Sequence, residues 1–330
     1  MDKLLILALL VSFLVTIFIM PFWIRKAKQI GLIWEDMHKV GHPKNVAGSG
    51  GIIVIMGFMI GVLIYVAAKV FSFNSFGNVV EILAILCCIL FMALIAFVDD
   101  LFGWHRGGLS IRSRLLLTAF AAIPLMVINA GDSTIGGINF GLLFPLLIIP
   151  VAVVGATTTY NFLAGYNGLE AIQGVIILGA LAIVTYLTGN SWLGVVALCM
   201  IAALIGFYFF NKKPAKVFPG NVLTYTIGAL IAAIAIVGNI EKIALFFFIP
   251  YILETILKSR GKLKKQSFGK LNDDGSLEVP YDKIYGLEHL AIWILKRIKP
   301  SKKVYENEVT WMIHGFTIVI IIIGFLLFYS

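Results

Sequence analysis

Long apolar runs separated by short polar segments make up most of the chain. They cover residues 4–24, 50–70, 79–98, 112–130, 142–160, 171–188, 191–210, 221–238, 241–257 and 309–329. Each approaches the length of about 20 residues with which an α-helix crosses a bilayer. The pattern predicts an all-α polytopic membrane protein of about ten transmembrane helices, folded as one integral membrane domain over 1–330. The first run is too long for a signal peptide and lacks a small-residue cleavage site, so it is expected to be retained. Residues 171–188 and 191–210 are separated by a turn at Gly189-Asn190, and Pro145 and Pro150 predict a kink in 142–160.

Composition agrees with this pattern. Sixty per cent of the 330 residues are hydrophobic and 13% are charged, whereas soluble domains run about 45–50% apolar and about 25% charged. Cys87, Cys88 and Cys199 all fall inside apolar runs, without the spacing of a zinc site. They are expected to be small packing residues.

The formal net charge is +9, and its distribution matters more than its size. Of the 26 Lys and Arg residues, 23 lie in the segments 25–47, 99–114, 211–219 and 258–308; Lys3, Lys69 and Lys242 are the exceptions. Basic residues collect on the cytoplasmic side of membrane proteins. The bias therefore places these segments, with 160–171, in the cytoplasm and both termini outside. It also explains the positive charge without nucleic acid, which is not an expected partner.

Residues 258–308 form the one long cytoplasmic loop. It opens on the basic stretch Lys258 to Lys265. Residues 270–279 read as a small β-hairpin around Asp274-Gly275. Gly286 to Ile298 reads as an amphipathic helix, with Leu287, Leu290, Ile294 and Ile298 at helical spacing and Lys296, Arg297 and Lys299 near its end. Such a helix suits an anionic membrane surface.

Three polar insertions interrupt the apolar pattern, and the charge bias puts all of them on one face. Asp99-Asp100 ends the third run. Two carboxylates at a helix C-terminus oppose the macrodipole; they read as a pair beside Mg²⁺ with one free to accept a proton, against the alternative of a solvated helix end. The second insertion is Asn161-Phe162-Leu163-Ala164-Gly165-Tyr166-Asn167-Gly168-Leu169-Glu170. Its amides can ligate a hard cation or read a nucleobase edge, and its glycines admit a planar ligand or a phosphate close to the backbone. Glu170 suits a helix N-terminus equally well. The third is Phe218-Pro219-Gly220-Asn221, where Asn221 is either an N-cap or a metal ligand and Phe218 either an interface aromatic or a stacking platform.

Gly48-Ser49-Gly50-Gly51 reads either as an anion-binding nest or as a site of close helix packing. Asp36, His38 and Lys39 lie just upstream. His105, Arg106, Arg112 and Arg114 offer cations for a phosphate, although each also fits the general positive-inside bias. His314 reads as a packing residue.

Together, Asp99-Asp100, the stretch Asn161–Glu170, and Phe218–Asn221 with Thr224-Tyr225 resemble the polyprenyl-phosphate N-acetylhexosamine-1-phosphate transferases over nearly the whole chain. Gly275-Ser276-Leu277-Glu278-Val279-Pro280-Tyr281-Asp282-Lys283 and Asn307-Glu308 resemble the archaeal and eukaryotic branch that makes dolichyl-diphosphate-GlcNAc. The resemblance implies transfer of GlcNAc-1-phosphate from a UDP-sugar to a polyprenyl or dolichyl phosphate in the bilayer, with release of UMP. It implies Mg²⁺, or Mn²⁺, held by Asn161 and Asn221, with the catalytic residues Asp99 and Asp100 beside it. It implies that Gly165 and Phe218 sandwich uracil, that Asn167 hydrogen-bonds it, and that Ser49 and Glu170 belong to the substrate site. Lys39 and Arg114 would meet phosphates.

The family usually has Asp where Asn221 stands, Lys where Arg114 stands, and Glu where Gly48 stands. The eukaryotic Arg-His-Arg appears as Lys265-Gln266-Ser267, and the bacterial polyhistidine loop motif is missing. The site is expected on the cytoplasmic face of the membrane (the cell membrane in a prokaryote), and self-association as a homodimer is left open. The competing readings are a transporter or channel and a lipid-binding relative weakened in catalysis. Against the first, the polar residues cluster at one face and no inverted repeat is visible.

Overall fold

The computed structural model describes residues 2–37 and 39–329, with the side chains of these apart from 2–4, 73 and 104–106. His38 and the side chains of His105 and Arg106 therefore lie outside the described residues.

Eight helical stretches among the described residues are long and apolar enough to cross a membrane. They comprise α1 (Asp2–Gln29), α2 (Gly51–Phe73), α3 (Val79–Arg106), α6 (Ile149–Phe162) with the π-helical turn Phe144–Ile148 before it, α7 (Leu169–Leu187), α8 (Ser191–Asn211), α9 (Gly220–Val237) and α13 (Glu306–Tyr329). The other two apolar runs are not single helices. Residues 112–130 form α4 (Ile111–Ala121) and α5 (Ile123–Val127), and 241–257 form α10 (Glu241–Phe247) and α11 (Ile249–Arg260). Pro124 and Pro250 stand in the first turns of α5 and α11. Proline lacks the N–H and clashes with the preceding turn, so each run breaks there. Around Pro145 and Pro150, where a kink is expected, the backbone forms a π-helical turn that runs into α6.

Helix α9 is the centre of the bundle, packing against α2, α3, α6, α7 and α8. Its span is 83% buried with a mean hydropathy of 1.9, whereas the span of α1 is 22% buried with 2.8. A helix surrounded by protein can carry threonines, while one facing hydrocarbon cannot leave polar groups unsatisfied. The outer faces carry side chains such as Phe18 (68% exposed) and Phe71 (83% exposed), as expected of a lipid-facing surface. Close approach of α1 and α2 depends on Gly57 and Gly61. A Cβ at Gly61 would lie 1.8 Å from Ser12 Oγ, and one at Gly57 2.3 Å from Thr16 Oγ1.

Outside the bundle, Ile33–Trp34 pairs antiparallel with Val46–Ala47, and Thr134–Ile135 with Ile138–Asn139. The expected hairpin forms from Lys270–Leu271 and Leu277–Glu278. Helix α12 (Leu287–Ile298) also forms where expected, but the face it buries differs. Leu287, Glu288, His289, Ala291 and Ile292 are buried against neighbours that include α11 and α13, while Ile298 is exposed. Glu288 is drawn in beside Glu254: a Cβ at Gly286 would meet carboxylate oxygens of both, at 2.9 and 3.1 Å. Burial first, and the neighbouring Glu254 second, push the Glu288 carboxyl well above its usual range.

Candidate active site

The segment before α2 and the segment before α9 are laced together. Ala47 N donates to Lys216 O (3.2 Å), Phe218 N to Ala47 O (2.8 Å), Gly50 N to Phe218 O (2.9 Å) and Gly51 N to Pro219 O (2.9 Å). A Cβ at Gly50 would lie 2.5 Å from Val217 Cγ2. Of the two readings of residues 48–51, close packing is the one realised. The amides of Gly50 and Gly51 already serve carbonyls, which removes them from any anion nest.

This lacing sets Gly220 and Asn221 against α3. That helix continues to Arg106, so the Asp pair lies about two turns inside it rather than at its end. Adjacent helical positions diverge by about 100°, and the two carboxylates face different partners. Asp100 Oδ1 accepts from Asn221 N (2.8 Å), and Oδ2 from Ser49 Oγ (2.9 Å). Asp99 is 1% exposed. Its Oδ1 accepts from Leu109 N (2.7 Å) and Arg114 Nη2 (3.2 Å), and its Oδ2 from Asn221 Nδ2 (2.9 Å), with Arg114 Nε 3.1 Å away. Gly220 has φ +69, and a Cβ there would lie 2.1 Å from Asp100 Oδ2. Only glycine satisfies both the left-handed backbone and the contact.

The α6–α7 turn is held from several directions. Gly165 N donates to Glu170 Oε1 (2.7 Å), and Tyr160 OH to Glu170 O (2.7 Å). Buried Asn211 joins this turn to the α8–α9 segment: its Oδ1 accepts from Gly168 N (3.1 Å) and its Nδ2 donates to Val217 O (2.9 Å). Asn167 N donates to Glu306 Oε1 (2.8 Å), and Asn167 Nδ2 to Asp36 Oδ2 (3.0 Å). Its Oδ1 is buried and has no hydrogen-bond partner among the described residues. Asn161 Oδ1 accepts from Thr224 Oγ1 (2.7 Å).

These segments enclose a cavity of about 340 Å³. Ser49, Asp100, Asn161, Gly165, Asn167, Glu170, Phe218 and Asn221 line it, so residues from all three insertions share one site. Asp99, Lys39 and Arg114 do not line it. Asp99 stands behind the wall, bound to Asn221, with both of its oxygens engaged. Arg114 pairs with Asp99, and Lys39 Nζ pairs with Asp36 (3.2 Å) and Glu306. Both cations expected to meet phosphates instead neutralise buried carboxylates, because an unpaired carboxylate at low exposure costs several kcal/mol. The face of Gly165 expected to meet a base is covered by Phe268, whose ring would lie 2.3 Å from a Cβ there.

Three contributors were not legible beforehand. Phe268 belongs to the long loop, tied in by Gly269 N donating to Tyr166 OH (2.9 Å). Asn211 closes α8, and Glu306 opens α13. The available signals were weak: an aromatic after a basic stretch, and polar residues at two helix ends.

Among the described residues, the cavity lining carries four carboxylates, on Glu35, Asp36, Asp100 and Glu170, and no Lys or Arg. Among the described residues, no group of three or more His, Cys, Asp or Glu stands ready to enclose a metal. Asp100, Asn161 and Asn221 nevertheless present one carboxylate and two amides on the same wall. This all-oxygen set fits Mg²⁺, which is commonly held by one or two carboxylates with water and substrate oxygens completing the octahedron.

Comparison with known proteins agrees with this geometry. Residues 82–239, which include all three insertions, match the family model described as glycosyl transferase family 4. A Saccharolobus solfataricus protein provisionally named UDP-N-acetylglucosamine–dolichyl-phosphate N-acetylglucosaminephosphotransferase is 36% identical over 294 residues, 87% of each chain. A Sulfolobus acidocaldarius protein of the same provisional name is 33% identical over 279 residues, 82% of this chain and 83% of the relative. A phospho-N-acetylmuramoyl-pentapeptide-transferase of Streptococcus pyogenes is 30% identical over 282 residues, 80% of this chain and 83% of the relative. The chain therefore belongs to glycosyl transferase family 4, as a membrane-embedded glycosyl-1-phosphate transferase.

Proposed function

We propose that the enzyme transfers N-acetylglucosamine-1-phosphate from UDP-N-acetylglucosamine to a polyprenyl phosphate of the dolichyl type, releasing UMP, on the cytoplasmic face of the membrane and with Mg²⁺ or Mn²⁺. The carrying observation is the cavity's chemistry: four carboxylates and no Lys or Arg among its described lining. A diphosphate entering such a site needs a cation brought with it or held there. The donor and acceptor are those in the names of the two archaeal relatives.

Each residue then has a role that its surroundings support. Asn167 Oδ1 is a buried acceptor without a partner among the described residues, suited to the imide N–H of uracil, and Phe218 offers a ring for the base. Asp100, Asn161 and Asn221 would hold the cation, whose chemistry when bound is to neutralise the diphosphate and ease departure of UMP. Asp100 is the member of the Asp pair that lines the cavity and takes any remaining proton of the acceptor phosphate. Asp99 orients the Asn221 amide and anchors Arg114. An oxygen of the lipid phosphate attacks the sugar-bearing phosphorus in line, and the bond from that phosphorus to UMP breaks.

A place for the lipid tail lies close by. A cavity of about 360 Å³ runs along the π-helical turn and α6, from Phe144 to Thr159, two residues short of Asn161. Its walls include Val151, Ile231, Ala235, Leu245 and Ile252. Apolar walls beginning beside the site suit an isoprenoid chain.

The test is UDP-GlcNAc labelled in the sugar, incubated with the enzyme, polyprenyl phosphate, Mg²⁺ and detergent. Labelled lipid and stoichiometric UMP are expected; their absence, with folded protein, would overturn the reading. UDP-GalNAc and UDP-MurNAc-pentapeptide in place of UDP-GlcNAc test the sugar. Exchange of labelled UMP into UDP-GlcNAc without acceptor would replace direct attack by a two-step route through an enzyme carboxylate.

A further inference from the structure

A second cavity, of about 230 Å³, lies where the start of α7, the end of α8 and the start of α13 meet, and it shares Asn167 with the active site. Its chemistry is the reverse of its neighbour's. Lys212 and Lys213 line it with Tyr208, Thr310, Trp311 and His314, and no carboxylate does so among the described residues. Helices α7 and α13 begin at this cavity with Glu170, Glu306 and Glu308 in their first turns, and α8 ends there, so the positive charge lining the cavity is that of the lysines.

Lys213 Nζ pairs with Glu306 Oε2 at 3.8 Å, an oxygen it shares with Lys39, so its charge is partly offset; Lys212 has no ion pair among the described residues. Lys212 Nζ lies 5.7 Å from the ring centroid of Phe209, a half-exposed residue on the outer surface of α8. Trp311 is 66% exposed and meets the His314 ring edge-on at 5.8 Å between centroids. A tryptophan and a lysine stem at a helix end beside lipid-facing aromatics mark the level of the headgroups. The cavity therefore opens at the membrane boundary, and basic pockets between transmembrane helices at that level recognise anionic headgroups.

We propose that this cavity binds the phosphate of an anionic membrane phospholipid, beside the catalytic cavity, with which it shares Asn167. The proposal does not depend on which sugar nucleotide or acceptor the enzyme uses.

The full chain, purified in non-ionic detergent, is titrated with dihexanoyl phosphatidylglycerol, with dihexanoyl phosphatidylcholine and with inorganic phosphate, and the thermal unfolding midpoint is followed. Lys212→Gln, Trp311→Leu and the distant Lys264→Gln are compared with the unaltered chain. Phosphatidylglycerol is expected to raise the midpoint by several degrees and phosphatidylcholine to leave it in place. The shift should vanish in Lys212→Gln, shrink in Trp311→Leu and persist in Lys264→Gln. Inorganic phosphate matching phosphatidylglycerol, with the same loss in Lys212→Gln, would overturn the lipid as the source of the phosphate. Equal responses to the two lipids, or a full phosphatidylglycerol response in Lys212→Gln, would overturn the site itself.

Discussion

Replacing Asn221 with the aspartate usual in the family tests how this site is built. In the present chain Asn221 Nδ2 donates to Asp99 Oδ2 at 2.9 Å. Asn221→Asp exchanges that donor for a second carboxylate. The lost bond to a charged acceptor is worth about 2 kcal/mol. Two unit charges at that separation repel by about 6 kcal/mol at an effective dielectric constant of about 20. Rotation of the new carboxylate away from Asp99, and the guanidinium of Arg114 on the far side of Asp99, relieve part of this. A net destabilisation of about 2–4 kcal/mol remains, in the range for a buried charge left without its own partner. A divalent cation at Asp100 and residue 221 would reverse the sign, because binding to the folded state alone adds stability. The assay is thermal unfolding of both forms in detergent, with chelator and across a Mg²⁺ titration, alongside turnover at each concentration. The variant should melt lower in chelator, recover more steeply with Mg²⁺ than the unaltered chain, and reach half-maximal turnover at lower Mg²⁺. Equal midpoints in chelator would show that the Asn221–Asp99 bond does not hold the wall, and an identical Mg²⁺ response would remove residue 221 from the cation site.

Other substitutions probe the remaining parts. Gly220→Ala puts a methyl 2.1 Å from Asp100 Oδ2 on a left-handed backbone; turnover should fall at least 100-fold, and activity near that of the unaltered chain would contradict the tight fit. Asp99→Asn leaves Arg114 without its partner and should destabilise by about 3 kcal/mol, whereas Asp100→Asn should act mainly on kcat; parallel unfolding and kinetic measurements separate the two. Asn211→Leu strands Gly168 N and Val217 O and should cost about 2–4 kcal/mol, with a raised KM for the sugar nucleotide as the α6–α7 turn loosens. Unchanged stability in that variant would mean the turn is held elsewhere.

The chain's fold class was legible because the requirement that sets it is local. A segment that must satisfy its backbone within hydrocarbon has to be a helix of sufficient length, and the apolar runs display both properties. Pro124 and Pro250 mark the two broken runs in the sequence as well, within an apolar pattern that is continuous across them. The polar insertions stood out for the same reason: asparagines, glycines and carboxylates between apolar runs require an explanation that any single run can pose.

Sequence alone did not determine which way each polar group faces or which groups are already neutralised. Asp99 and Asp100 are neighbours with identical chemistry, and only packing against Asn221 and α4 sends one behind the wall and the other into the cavity. Lys39 and Arg114 look like phosphate ligands until Glu306, Asp36 and Asp99 are brought to them. Asn167 meets Glu306 across 139 positions of chain, and Phe268 reaches Gly165 from a loop that begins beyond α11. Burial favours pairing of charges, but the partner is chosen by which helix ends come together, a property of the assembled bundle and of no segment within it.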